Sequence, residues 1–159
     1  MRTHIIVAMT KDRVIGKNGT LPWHIHDDAK LFKDLTSDNT VIMGRNTWLS
    51  LPDKYKPLPN RVNIIVSSTL PGQKGAIVCK TIEEAFEVAR GYGNDVFCIG
   101  GAQLYAAMLP LADALHISWI KGSYDGDTYF PKIDFSLWEE QEAKDFDGFT
   151  YRRYARKAK

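Results

Sequence analysis

An acid on the apolar face of a predicted helix is the residue whose chemistry says most about this chain. If the helix begins near Asp27, then Leu31, Phe32 and Leu35 form one stripe, and Asp28 shares their face. An acid that faces an apolar wall is costly without a partner, so Asp28 predicts a cationic or fork-shaped hydrogen-bonding ligand. Acids at a helix start are ordinarily caps, and we assign that role to Asp27 on the solvent side.

Two turns from strand to helix have the composition of a site for a phosphate-bearing ligand. In the run 41–47 a buried strand ends in glycine, and the next helix opens with Arg45, Asn46 and Thr47. The run 96–103 contains paired glycines at a strand end, which let a ligand approach the backbone closely. Free N–H groups at a helix start and the charge of Arg45 suit phosphate, although each turn alone also fits an ordinary tight connection.

A third predicted strand, 62–67, leads into two hydroxyl residues, Ser67 and Ser68. A serine pair is often only a turn, but near Arg45 it can hold a phosphate through neutral hydrogen bonds. Because the carboxyl ends of parallel strands meet at one edge, these three segments together predict a ligand crevice there.

Composition indicates one soluble globular domain over residues 1–159. Hydrophobic residues make up 44% of the chain and charged residues 25%, which is ordinary for such a domain. A net charge of +2 gives no case for nucleic acid, and no apolar run is long enough to span a membrane. Cys79 and Cys98 lie outside any CxxC pair, which is typical of buried free thiols in a reducing cytosol. We therefore expect a cytoplasmic monomer that acts on a small molecule.

Strand-like and helix-like runs alternate along most of the chain, which is typical of a parallel α/β fold. The strand-like runs are 4–9, 40–43, 62–67, 76–79, 95–99 and 114–120. The helix-like runs are 28–35, 44–50, a run from Thr81 to Gly91, and 101–108. Near the C-terminus, 138–146 and 149–156 flank Asp147-Gly148, a hairpin signal. We predict a single-domain, mostly parallel twisted sheet of about eight strands, with flanking helices and a C-terminal antiparallel hairpin.

A metal site is the main alternative use of this N-terminal region. His24, His26 and Asp27 come close to the HxHxDH pattern of binuclear zinc hydrolases. The pattern fails at Ala29, and the remaining histidines lie in predicted strands, so four ligands cannot be assembled. We expect no metal.

Taken together, these pieces resemble the dihydrofolate reductase family, of the bacterial chromosomal type, over nearly the whole chain. The residues that carry the resemblance are Val14-Ile15-Gly16, Leu21-Pro22-Trp23, Asp28 with Phe32, Val41-Ile42-Met43-Gly44-Arg45 with Thr47-Trp48, Leu58-Pro59 with Arg61, Ile99-Gly100-Gly101 with Tyr105, and Gly126-Asp127-Thr128 with Phe130-Pro131. The resemblance implies an oxidoreductase of one-carbon metabolism and an antifolate target. Its reaction would be NADPH-dependent reduction of 7,8-dihydrofolate to 5,6,7,8-tetrahydrofolate by hydride transfer.

The same resemblance implies the site residues, with Asp28, Trp23 and Tyr105 at the catalytic centre. Asp28 would bind the pterin as a fork and support protonation of N5 through ordered water, and burial should raise its pKa. The substrate-binding residues would be Ile6, Ala8, Asp28, Phe32, Leu51, Leu58, Arg61, Ile99 and Ser118. The cofactor-binding residues would be Ala8, Ile15, Gly16, Gly44, Arg45, Asn46, Thr47, Ser67, Ser68, Lys80, Gly100, Gly101, Ala102, Gln103, Leu104 and Tyr105.

Several individual roles are also implied by the resemblance. Arg61 would pair with the glutamate tail of folate, and Ser118, where the family usually has Thr, would orient the pterin-binding carboxylate. Gly100 and Gly101 would be joined by a cis peptide beside the pyrophosphate. The segment 15–23 would be a mobile loop over the site, braced by the turn at 126–128.

A sister reductase of the same fold remains an alternative. It acts on a ribosylated pyrimidine in riboflavin synthesis and would share the cofactor crevice, but it would not need Asp28 or Arg61 in these places. The chain also departs from the family pattern at His26, where Pro is usual, and at Ala29, where a larger apolar residue is usual. These departures bear on inhibitor binding and not on the reaction.

Overall fold

Helices flank a large twisted sheet in the computed structural model, which describes residues 1–17 and 25–158. The described residues form ten strands, β1 (Thr3–Met9), β2 (Val14–Gly16), β3 (Thr40–Gly44), β4 (Val62–Val66), β5 (Ile77–Cys79), β6 (Val96–Cys98), β7 (Ala114–Ile120), β8 (Thr128–Tyr129), β9 (Trp138–Phe146) and β10 (Phe149–Arg156). Their α-helices are α1 (His26–Thr36), α2 (Arg45–Ser50), α3 (Ile82–Arg90) and α4 (Ala102–Met108). Every predicted strand and helix is present, with ends that differ by at most two residues.

Eight of these strands form one sheet in the order β5-β4-β3-β6-β1-β7-β10-β9. Neighbours from β5 to β7 are parallel, whereas β10 runs antiparallel to both β7 and β9. The predicted mostly parallel sheet with an antiparallel hairpin at its end is therefore confirmed. Since parallel strands point the same way, the segments that follow β1, β3, β4, β5, β6 and β7 meet at one edge.

The helix that carries the two acids, α1, begins at His26 with Ile25 as its N-cap. No side chain caps this end, so the prediction that Asp27 is the cap is wrong. The reason is that Asp27 already lies within the first turn, where a carboxylate interacts with the helix dipole instead of capping it. Asp27 is exposed and Asp28 is half-buried, which confirms the predicted solvent and inner sides of the helix.

A second, two-stranded sheet pairs β2 with β8, and the sequence did not predict it. Val14 lies opposite Tyr129 and Gly16 opposite Thr128. Strands this short show no alternating pattern, so periodicity cannot find them. Gly126 allows the close approach, because a Cβ there would lie 2.9 Å from the carbonyl oxygen of Gly16.

Apolar clusters cover both faces of the large sheet. Ala85 of α3 and Met108 of α4 share one buried cluster with Ile5, whereas Trp48 of α2 shares another with Ile6. Consecutive residues of β1 thus point to opposite faces, as the pleat requires. The helices α1 and α2 cover the face that carries the candidate site.

Three smaller features bear on the sequence predictions. The hydroxyl oxygen of Thr81 accepts the N–H of Glu84 at 3.1 Å, and the Glu84 carboxylate accepts the N–H of Lys80 at 2.9 Å, which caps α3. Cys79 and Cys98 are free and buried, as predicted. Among the described helices, none has the length and apolar character needed to cross a membrane.

Candidate active site

The acid predicted to bind a ligand lies in the first turn of α1, against β7. The Ser118 hydroxyl donates a hydrogen bond to the Asp28 carboxylate. Burial raises the pKa of Asp28 above its ordinary value of 3.8, and the bond from Ser118 opposes this shift. Ala8 of β1, which is partly buried, pairs with Ser118 in register. A carboxylate that accepts the Ser118 hydroxyl retains acceptor capacity for a ligand that offers two N–H groups.

An apolar wall lies on the sheet face that α1 and α2 cover. Ile6 and Leu58 are buried there, while Phe32, Leu51 and Ile99 pack against the same cluster and keep part of their surface exposed. These five residues were all predicted to line the substrate pocket, and the structure brings them together. Their partly exposed side chains offer apolar surface to a flat ring.

The predicted tail-binding arginine is held in place by two hydrogen bonds. Arg61 donates from Nη1 to the hydroxyl of Thr36 at 3.0 Å and from Nε to the carbonyl oxygen of Pro59 at 2.9 Å. Its guanidinium carbon lies 5.9 Å from the centre of the Phe32 ring, and burial lowers the pKa of Arg61 below its usual value. A guanidinium has five N–H donors, so others remain for a ligand.

Thr36 is a site residue that sequence reasoning missed. It is fully buried at the end of α1 and orients Arg61 through its hydroxyl. A signal was available, because Thr36 lies one helical repeat beyond Phe32 and two beyond Asp28, on the same face.

Glycines bring the ends of β3 and β6 into close contact. The peptide between Gly100 and Gly101 is cis, as the resemblance implies. The N–H of Gly44 donates to the carbonyl oxygen of Gly100 at 2.8 Å, and a Cβ on Gly101 would lie 3.8 Å from the hydroxyl of Thr47. At Gly100 φ is +106° and a Cβ would lie 2.9 Å from the Tyr105 ring, so only glycine fits. The result is a cradle of bare backbone between two strand ends.

Hydroxyls and cations gather at the carboxyl ends of β3, β4 and β5. The last residues of these three strands lie side by side in register, and Arg45, Ser67 and Lys80 each follow directly. The Ser67 hydroxyl oxygen accepts the N–H groups of the second and third residues after it, at 3.2 and 3.0 Å, which fixes its position. Arg45, Ser68 and Lys80 are exposed, so this cluster faces solvent.

The first turn of α4 follows the glycine cradle directly. Ala102 is partly buried and Gln103 exposed, whereas Leu104 and Tyr105 belong to the buried core. The Tyr105 hydroxyl donates to the carbonyl oxygen of Ile6 at 2.8 Å. Tyr105 therefore connects the glycine cradle to the strand that carries the apolar wall. Asn46, in the first turn of α2, is exposed beside Arg45.

The predicted mobile loop, 15–23, is described only as far as Lys17, so Trp23 lies outside the described residues. Ile15 and Gly16 belong to β2, the stem of that loop. The N–H of Asp127 donates to the carbonyl oxygen of Gly16 at 3.1 Å. The turn at 126–128 thus contacts the stem of the loop. This contact is the part of the predicted brace that the structure describes.

The metal alternative gains no support from the described part of the chain. No group of three or more His, Cys, Asp or Glu side chains that could hold a metal occurs within residues 1–17 and 25–158. His26 and Asp27 are exposed, and His24 lies outside these ranges.

The fold is an α/β fold with a candidate ligand site in two halves, and an inward acid and an apolar wall form one half. Glycines, hydroxyls and cations form the other half. The dihydrofolate reductase family model matches residues 2–156. This chain belongs to the dihydrofolate reductase family, as its sequence predicted.

Individual relatives agree with this membership. The chain is 40% identical over 145 residues to the dihydrofolate reductase of Bacillus subtilis (strain 168), covering 88% of this chain and 84% of that protein. It is 38% identical over 139 residues to the Haemophilus influenzae enzyme, covering 87% and 84%. The structure of dihydrofolate reductase from Enterococcus faecalis, complexed with NADP(H) and RAB-propyl, superposes with a TM-score of 0.88 at 33% identity, covering 99% of this chain and 97% of that one.

Proposed function

We propose that this chain reduces 7,8-dihydrofolate to 5,6,7,8-tetrahydrofolate with NADPH, and that Asp28 binds the pterin. The observation that carries the proposal is the half-buried Asp28 carboxylate, which accepts a hydrogen bond from Ser118. Membership of the family, and the NADP(H) complex of the Enterococcus faecalis relative, support the reaction and the cofactor. They do not favour the sister reductase or the metal hydrolase.

Asp28 would have two tasks in this reaction. Its two oxygens would accept the two parallel N–H donors of the 2-amino-4-oxo-pyrimidine edge as a charged fork. Its raised pKa would also help it to support proton delivery to N5 through an ordered water, since a group that titrates closer to neutrality is a better proton source. Ser118 would hold the carboxylate in the orientation that both tasks need. Ile6 and Phe32 would exclude further water from the ring.

Arg61 would bind the carboxylate of the folate glutamate tail. Its position beside Phe32, with two donors already engaged by Thr36 and Pro59, supports this role because the remaining edge is held still. A planar guanidinium can engage a carboxylate through two N–H groups, which a lysine ammonium does poorly.

The second half of the crevice fits a nicotinamide dinucleotide phosphate. The bare backbone of Gly44, Gly100 and Gly101 allows close approach of a pyrophosphate, with Thr47 beside it as a hydroxyl donor. NADPH supplies the hydride when it is bound there. Tyr105, hydrogen-bonded to Ile6, would fix the spacing between the cofactor and substrate halves.

The cluster of Arg45, Ser67, Ser68 and Lys80 would select NADPH over NADH. The two cofactors differ by a 2′-phosphate, and this cluster combines two cations with two hydroxyls on adjacent strand ends. Charged hydrogen bonds to phosphate are stronger than neutral ones, so Arg45 would contribute most.

We also propose that the protein is a cytoplasmic monomer without a nucleic-acid or membrane partner. The small net charge of +2 and the two buried free thiols support this. Size-exclusion chromatography with light scattering measures the oligomeric state, and a dimer would contradict it.

The decisive experiment follows the loss of NADPH absorbance in the presence of dihydrofolate. We expect oxidation that depends on dihydrofolate, with no oxidation when it is left out or replaced by the ribosylated pyrimidine of riboflavin synthesis. Turnover of the pyrimidine alone would overturn the proposal in favour of the sister reductase. If the protein oxidised NADPH with neither compound, the proposal of an enzyme would be wrong, and a role in ligand binding without catalysis would be favoured.

A further inference from the structure

Four polar side chains form a continuous hydrogen-bonded chain across the sheet, and the proposed reaction uses none of them. His4 Nε2 lies 2.9 Å from Asp95 Oδ2, and His4 Nδ1 lies 2.9 Å from His116 Nε2. His116 Nδ1 lies 2.7 Å from the Tyr151 hydroxyl. His4, His116 and Tyr151 are buried, whereas the Asp95 side chain remains 38% exposed. This series of hydrogen bonds therefore runs from the surface into the core.

Each member belongs to a different neighbouring strand or to the residue just before one. Asp95 precedes β6, while His4, His116 and Tyr151 belong to β1, β7 and β10, and these four strands are adjacent in the sheet. The four hydrogen-bonded side chains thus connect the parallel part of the sheet to the C-terminal hairpin. On β7, His116 is separated from Ser118 by one residue, so both point to the same face.

Apolar groups enclose this chain on the helix side. The Phe97 ring stacks on the His4 ring, with centroids 4.4 Å apart and planes 7° from parallel. Leu35 of α1 packs against the clusters that contain Phe97 and Tyr151. Water therefore cannot easily replace a lost hydrogen-bond partner of His4, His116 or Tyr151.

Charged groups lie near both ends of this series of four hydrogen-bonded side chains. Arg153 of β10 pairs in register with His116, and Glu142 of β9 pairs with Arg153 and acts on Tyr151. At the other end, the amino terminus of the protein and the N–H of Arg2 act on Asp95. Burial first, then the charges of His4 and Arg153, lower the pKa of His116 to about 3.

The proton positions follow from the acceptor at the surface end. Burial raises the pKa of Asp95, but the bonds from Arg2 and His4 outweigh it and keep the carboxylate ionised, so it only accepts. His4 Nε2 must then donate to Asp95, which leaves Nδ1 of a neutral His4 as an acceptor. His116 Nε2 donates to that atom, and His116 Nδ1 accepts the Tyr151 hydroxyl. Both imidazoles are neutral Nε2–H tautomers in this arrangement, and every bond is satisfied.

An additional proton breaks this arrangement. If His116 becomes a cation, its Nε2–H still donates to His4 Nδ1, but its Nδ1 now carries a proton and must donate to the Tyr151 oxygen. The Tyr151 hydroxyl proton then loses its only hydrogen-bond acceptor among the described residues. A second proton, on His4 Nδ1, would place two N–H groups against each other across the 2.9 Å contact.

We propose that Asp95, His4, His116 and Tyr151 form a pH-sensitive clamp that joins β6, β1, β7 and β10 and is intact only while the His116 imidazole is neutral. An unfolded histidine titrates near its ordinary value of about 6.5. The folded state therefore binds fewer protons than the unfolded state, so the clamp contributes fully above pH 6.5 and is lost as the pH falls towards 3. This proposal does not depend on the reaction.

Unfolding by urea between pH 4 and 8 tests the clamp against an apolar replacement. We expect the unfolding equilibrium constant of the natural chain to rise about tenfold per pH unit between pH 6 and 4, beyond the rise in the triple variant His4→Leu, His116→Phe, Tyr151→Phe. His26→Gln is the matched control, because His26 is exposed, and its pH dependence should follow the natural chain. Equal pH dependence in the natural chain and the triple variant would overturn the proposal.

Nitrogen-15 NMR of the natural chain tests the same proposal without any substitution that threatens folding. At pH 7.5 we expect both His4 and His116 to carry the proton on Nε2 and to lack one on Nδ1. We also expect His116 to stay neutral down to pH 5. An Nδ1–H tautomer on either clamp histidine, or ordinary titration of His116, would refute the clamp.

Discussion

The two halves of the proposed crevice, one for the substrate and one for the cofactor, are built in different ways. In the substrate half, Asp28 and Arg61 are partly buried and each has a protein partner that fixes it. In the cofactor half, Arg45 and Lys80 are exposed and follow strand ends, and much of the surface is glycine backbone. In the proposed function, recognition in the first half would rest on a few desolvated groups, whereas in the second it would be divided among several solvated ones. Single substitutions should therefore cost more in the substrate half.

The largest expected effect is that of Asp28→Asn. Asparagine keeps the shape but replaces an acceptor oxygen by a donor, so the fork to the pterin fails and N5 protonation loses its support. Dihydrofolate reduction at neutral pH should fall by orders of magnitude in a steady-state assay. Asp27→Asn is the matched control, since Asp27 is exposed one residue away, and its rate should change little. If Asp27→Asn were the inactive variant, the assignment of the acid would be wrong.

The pH dependence of hydride transfer provides a second measurement on the same acid. Burial raises the pKa of Asp28, so the rate should fall as the pH rises through an apparent pKa above 3.8. Single-turnover kinetics across pH would record this fall in the natural chain. The same titration should be absent from Asp28→Asn, and its persistence there would assign it to another group.

The next effect in size is that of Arg61→Leu. We expect KM for dihydrofolate to rise about a hundredfold, because a partly buried bidentate ion pair is lost, with KM for a pterin without the glutamate tail nearly unchanged. Arg90→Leu, at the exposed end of α3, serves as the control. Equal losses with both ligands would show that Arg61 serves the fold through Thr36 instead.

In the cofactor half, Arg45→Ala should have a smaller and more selective effect. A hydrogen bond to a charged group contributes about 1.5–3 kcal/mol, so KM for NADPH should rise roughly ten- to a hundredfold. KM for NADH, which lacks the 2′-phosphate, should change little, and comparing the two cofactors measures the difference. The same rise with both cofactors would place Arg45 at the pyrophosphate.

The smallest effect is expected from Ser118→Ala. Its hydroxyl donates to the Asp28 carboxylate and so lowers the pKa of that acid, which means that its removal should raise the pKa. The fall in the rate of hydride transfer should therefore occur at a higher pH than in the natural chain. Ser118→Thr should restore the natural profile, because the hydroxyl is kept. An unchanged profile in Ser118→Ala would mean that the bond does not control the acid.

The sequence by itself determined the strong local patterns. The runs around Ile117 and Phe149 showed their strands because long strands and an Asp-Gly turn leave a clear signal. The side of α1 on which Asp28 lies followed from helical spacing alone. Family membership followed from the order and intervals of short motifs, and it in turn implied the cis peptide between Gly100 and Gly101.

Other features depended on contacts between distant parts of the chain, which no local pattern encodes. The β2–β8 pair forms because Gly126 lets the turn at 126–128 approach Gly16, more than a hundred residues earlier. Thr36 can orient Arg61 only because the chain leading into β4 places Arg61 beside it. In the sequence, His4 and His116 are ordinary strand residues, and only the register of β1 and β7 places Nδ1 of His4 2.9 Å from Nε2 of His116. Sheet register joins residues by position in space, and that is what only the tertiary structure decides.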